Sequence, residues 1–431
     1  MMNESILVRL QDAIQMDDLN AVAGLLAGNQ SLRQHLEENQ NSLAVQVLER
    51  LRTTAMTDLF MAHGLSVERI TKWWGPGFGV QRVSPTVARH LIGLGVQLSP
   101  HAAAALGLNG VLVRMLHLDP GLAHAKGGDA CRPLHFSRTV ETAKLLLDHG
   151  ADLDARDEDH DSTPAQWRIG DASDVTRFLL QRGAKPDIFM AAGLGDLALV
   201  EKLIAQEPDC VTYRIGNNHG PFPGIGFQGR GGSIYQWTLG FNLSPQEVAL
   251  SRGYRDAYDL LLRHTPYRQK LLVACMLADR ALAQAIVAEH PTVVAELDQE
   301  DLSLLAKSCW ETNKNLEAAR LMLDLGFPVD LPESNHGYLP LHNAAWCGDA
   351  ALVKLLLQHG HPVDRRDPTY QATALGFAIH SCTQAKRHPE GDFPGVARLL
   401  LEAGVPVDLR SYPTGHSGLD AVLQNHLPTP S

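Results

Sequence analysis

The chain has 431 residues, 45% of them hydrophobic, 20% charged and 6% aromatic, which suits a globular protein of several domains or one elongated array. Its formal net charge is -11, and no Lys/Arg run is long enough to make a basic face, so nucleic-acid binding is excluded. No apolar stretch reaches the roughly 20 residues needed to span a bilayer, and the first residues carry no signal pattern. Six scattered cysteines without a CxxC pair point to a reduced, cytoplasmic protein with no metal site.

In chain order, residues 1–83 are helical in pattern and end in the irregular Trp73-Trp74 and GPGFG segment. They are expected to form an N-terminal cap that shields the first of a set of repeats. Helix–turn–helix units then fill 84–213, clearest at 132–159 (RPLHFSRTVETAKLLLDHGADLDARDED) and 163–187 (TPAQWRIGDASDVTRFLLQRGAKPD). In the second unit the helix begins near Pro164, a preset first-turn residue, with Asp161 or Ser162 as its expected cap. Residues 214–243 break the period. They are rich in Gly, Pro and aromatics, and their second half alternates Ile234, Gln236 and Thr238 against Tyr235, Trp237 and Leu239. That alternation predicts a short hairpin, and a long connector inside a compact array is usually functional.

Further units occupy 244–410, with degenerate copies at 244–266, 271–291 and 315–330. The clearest of all is 336–369, HGYLPLHNAAWCGDAALVKLLLQHGHPVDRRDPT. Its Leu339-Pro340-Leu341-His342 turn opens a short helix in which Ala344 and Ala345 allow close packing. Gly348-Asp349 breaks that helix, and a Leu-rich second helix closes at Gly360, where positive φ is cheap. The last copy, 373–410, carries a small insertion at 383–394 (TQAKRHPEGDFP), and 411–431 is expected to be a capping helix with a frayed end.

This combination of PLH, paired alanines, a breaking Gly and a Leu-rich helix, in phase at a period of about 33 residues, resembles the ankyrin repeat family. The resemblance spans most of 84–410. It implies an all-α solenoid with a helical N-terminal cap and one Gly/aromatic-rich inserted hairpin. In the family the residue after the Leu-His pair, and those three and four further on, face the concave surface. Carried over, these are Phe136, Trp167, Asn343 and Phe377, then Trp346 and His380. His135 and His342 take the place of the family's motif histidine, which hydrogen-bonds within the turn.

The sequence holds no HExxH, GxSxG or phosphate-loop spacing, so no cofactor is expected and a non-catalytic role is preferred. The expected function is a scaffold that recognises a protein partner through the concave face and the 213–243 insertion. Its contacts would be Phe136, Trp167, Arg168, Asn343, Trp346, Phe377 and His380, with His219, Tyr235 and Trp237 from the long insertion and His388 and Asp392 from the short one. The alternative is an enzyme or small-molecule binder with a pocket between the insertion and the concave aromatics, to which His160 and Asp161 would lend polar groups. Deleting 216–240 is expected to abolish binding and leave the array folded.

Overall fold

The computed structural model describes residues 4–38, 51–66, 83–215, 233–333, 337–385, 387–408 and 411–427. Among them every regular element is a helix. The chain divides into two compact units, one of residues 1–186 with 226–238, the other of 187–225 with 239–431.

In the first unit the repeats contribute α1 (Pro133–Phe136), α2 (Val140–Asp148), α3 (Pro164–Arg168) and α4 (Ser173–Gln181). Inner helix α1 packs on α3, and outer helix α2 packs on α4. Each outer helix turns one apolar stripe inward, as with Val175 and Leu179 of α4. The helices are too short to persist alone, so stacking on neighbours supplies their stability.

Thr163, not Asp161 or Ser162, caps α3. Its hydroxyl faces the Gln166 N–H at 3.5 Å, and the Gln166 side chain accepts from the Thr163 N–H at 2.8 Å, a reciprocal capping box. Asp161 and Ser162 are drawn away into the preceding connector, where the Ser162 N–H binds Asp157 Oδ1 at 2.8 Å.

The predicted hairpin is also corrected. Tyr235–Thr238 form a helical turn, α5, and residues 216–232 lie outside the described residues. Alternation misled because two tertiary contacts set the backbone here. The Ile234 N–H donates to Ser162 Oγ at 3.2 Å, and Thr238 lies so close to Gly170 that a Cβ there would sit 2.5 Å from the Thr238 carbonyl oxygen. Tyr235 is fully buried, and α5 packs on α3 as part of the first unit.

In the second unit the relevant elements are α6 (Leu304–Lys307), α7 (Leu316–Asp324), α8 (Pro340–Trp346), α9 (Ala350–Gln358), α10 (Ala374–His380) and α11 (Phe393–Glu402). Inner helices α6, α8 and α10 pack in sequence, as do outer helices α7, α9 and α11. Their apolar faces join one core that includes Leu305, Leu341, Leu356, Leu375 and Leu400. The caps follow the sequence grammar. Asp349 accepts the Leu352 N–H at 3.0 Å to start α9, and Gly360 at φ 80° follows its end.

Candidate functional site

Each clear repeat connector is closed by a buried aspartate. Asp367 accepts N–H bonds from Thr369 at 2.9 Å, Tyr370 at 2.6 Å and Ala372 at 2.8 Å, while its own N–H reaches the Ala372 carbonyl at 3.0 Å. Asp157 repeats the pattern with the N–H groups of His160 and Ser162, each at 2.8 Å. The motif histidines then bind the connector of the next repeat: His135 Nε2 lies 3.3 Å from the Ser162 carbonyl, and His342 Nε2 lies 3.1 Å from that of Ala372. His135 also serves its own turn, accepting the Arg132 N–H at Nδ1 at 2.9 Å. Burial holds His135 down to a pKa of about 4 and lowers His342 as well, so both stay neutral.

On the first unit, His101, Phe136, Trp167 and His160 form a run of ring contacts with centroids 5.6–5.8 Å apart. Phe136 is buried with Cys131 in a small apolar cluster against which Trp167 packs. The Trp167 indole donates to Asp157 Oδ1 at 3.3 Å, and His160 Nδ1 meets Asp157 Oδ2 at 3.0 Å. Burial opposes charge on His160, but Asp157, with Asp159 and Asp129 behind it, raises its pKa above the usual value. His160 is thereby committed to the connector. Asp161 sits at φ 48° and its carbonyl accepts from Arg156. Arg168 is buried against Asp171 at 3.3 Å, with burial lowering its pKa to about 10. Tyr235 is core, whereas Trp237 on the same turn is 75% exposed. His219 lies outside the described residues.

The second unit holds a different arrangement. Tyr338, Trp310, Trp346 and His380 stack in succession, with centroids 6.2, 6.1 and 5.9 Å apart and ring planes within 28° of parallel. At those distances the rings are offset, so each leaves part of a face uncovered. Phe377 is buried beneath and meets Trp346 edge-on at 6.1 Å. Tyr338, Trp310 and Trp346 are half-buried and His380 is exposed. Asn343 is buried one turn before Trp346, and its amide donates to the Ala306 carbonyl at 2.9 Å.

Trp310 and Tyr338 escaped sequence reading, although Trp310 had a signal. The stretch Leu305-Ala306-Lys307-Ser308-Cys309-Trp310 aligns with Leu341-His342-Asn343-Ala344-Ala345-Trp346, and both align with Leu375 to His380. Trp310, Trp346 and His380 thus hold one sequence position in three successive repeats: Trp346 and His380 end inner helices α8 and α10, while Trp310 follows the shorter α6 by three residues. The first copy lacks the histidine that would have marked its register.

Both insertions border the turn after Trp310. The exit limb of the long one brings the Phe241 carbonyl to the Asn313 amide at 3.0 Å. The short one brings Arg387 and His388 to Glu311, each 3.8 Å from Oε1. It is fastened there by the Asp392 N–H on the Gly348 carbonyl at 2.9 Å, and the Asp392 side chain caps α11 through the Gly395 N–H. The Glu311 N–H donates to Cys347 Sγ at 3.1 Å.

Burial pushes the Cys347 thiol up to about 11 and that of Cys309 to about 12, so neither offers a thiolate near neutrality. Among the described residues no group of three or more His, Cys, Asp or Glu is placed to hold a metal ion, and no helix is long and apolar enough to cross a membrane. Residues 305–357, which contain Trp310 and Trp346, match the family model described as ankyrin repeats (many copies). No curated protein matches the chain.

Proposed function

We propose that this ankyrin-repeat chain is a non-catalytic scaffold that binds a protein partner through the inner-helix face of its second unit. Ankyrin repeats generally mediate protein–protein contact, and the specific observation supporting this surface is the stack Tyr338–Trp310–Trp346–His380. Large rings left partly in water are a poor way to finish a core. They are the side chains that dominate binding energy when a partner desolvates them. The two insertions frame this face at Glu311 and Asn313 and would supply its individual shape.

The test is affinity for peptides retained from a phage-displayed random library by the full chain. Trp346→Ala and His380→Ala should each weaken binding, with Trp346→Ala costing about 2 kcal/mol, or roughly thirtyfold. Leu118→Ala, an exposed position in the first unit, should leave affinity unchanged. Equal losses in all three variants, after correction for stability, would remove the assignment.

A further inference from the structure

We infer that the face around Glu311 receives an arginine side chain from the partner. The inference deepens the scaffold reading above and rests on it.

Glu311 Oε1, Asn343 Oδ1, Trp346 Nε1 and His388 Nε2 are shielded from solvent and have no hydrogen-bond partner among the described residues. Glu311 Oε1 and Asn343 Oδ1 are acceptors, and the first belongs to a carboxylate. Leaving such an atom unpaired is expensive, so the site is incomplete without a donor. The neighbouring cations do not complete it. Arg387 and His388 stand 3.8 Å from Glu311 Oε1, too far for a hydrogen bond, and Arg387 is mostly in solvent.

The rings beside Glu311 narrow the choice of donor. Trp310 adjoins it in sequence and stacks on Trp346, whose neighbour Cys347 accepts the Glu311 N–H. The uncovered π faces attract a cation, and a planar one can lie flat against them. Guanidinium has that planarity, carries five donors and is always charged, so one group can serve the carboxylate and a ring face together. An ammonium group can reach the carboxylate but cannot stack. The Trp346 N–H is the right polarity for a carbonyl of the same peptide segment. A net charge of -11 favours approach of a basic segment.

The experiment uses the full chain and a phage-displayed random dodecapeptide library, followed by the best-retained peptide with its arginine replaced by lysine or citrulline. The expected result is a shared arginine among retained peptides and at least tenfold weaker binding for the citrulline and lysine forms, since about 1.4 kcal/mol is tenfold. Glu311→Gln keeps the shape of the side chain and should lower affinity for the arginine peptide by a similar factor, while leaving the citrulline form unaffected. Retained peptides without a common arginine would overturn the guanidinium assignment and leave the scaffold reading standing. Citrulline binding as well as arginine, or Glu311→Gln binding like the parent chain, would overturn it in the same way. Failure to retain any peptide would overturn both.

Discussion

A single carboxylate organises each clear connector. Asp367 is fully buried, yet it stays useful because three backbone N–H groups converge on it and no side-chain cation is needed. Gln371 completes the same turn at φ 54°, a region that disfavours any side chain with a Cβ. The two residues should therefore respond with opposite signs. Asp367→Ala leaves three part-buried backbone donors without their acceptor and should destabilise the chain by about 1–3 kcal/mol. Gln371→Gly relieves backbone strain and should stabilise by roughly 0.5–1 kcal/mol. Chemical denaturation of both variants checks the pair, and a stabilised Asp367→Ala would refute the clasp.

At the scale of elements, α5 shows how an insertion becomes part of the fold it interrupts. Tyr235 and Trp237 stand two residues apart and would be equivalent candidates in any list of aromatics. The helical turn sends Tyr235 into the first unit and leaves Trp237 outside. Tyr235→Ala should cost about 3–5 kcal/mol, the range for emptying a large buried ring site. Trp237→Ala should stay within about 0.5 kcal/mol. Thermal unfolding separates them, and it also replaces the expectation that 216–240 can be deleted without harm, since that deletion removes Tyr235. Matching losses at the two positions would mean that α5 is not docked as described.

For the whole molecule, buried neutral histidines are distributed over both units. His101 and His135 in the first, and His361 in the second, are held at about 4 by burial, with His342 lowered in the same direction. The unfolded chain takes up these protons near pH 6.5 and the folded chain does not. Stability from these groups is therefore complete above pH 6.5 and drains away as pH falls towards 4. His160, raised by Asp157, acts oppositely: its contribution is present at low pH and fades as pH rises through its elevated value. Among the described histidines with a shifted pKa, four act against one, so their joint effect should lower the melting temperature between pH 6.5 and 4.5. A flat profile over that window would contradict the buried neutral assignments.

The repeat grammar was legible in the sequence because it is local. A proline at the first turn, an Asp or Thr cap, a Leu stripe at helical spacing and a closing glycine each act within a few residues, and repetition amplified them from 132 to 410. The candidate face was legible only in part. Trp346 and His380 stood out in clear copies, while Trp310 lay in a degenerate one and Tyr338 came from a connector. Sequence also could not separate buried Phe136, Asn343 and Phe377 from exposed His380, because repeat register fixes which way a side chain points and not what covers it. The helical turn at Tyr235 and the meeting of both insertions at Glu311–Asn313 were settled by tertiary contacts. Each depends on residues such as Ser162, Gly170 and Gly348, whose backbones and side chains the stacked repeats bring within hydrogen-bonding or van der Waals distance. Local rules fix which segments become helices, and only packing decides which of their polar atoms and rings are buried and which stay exposed.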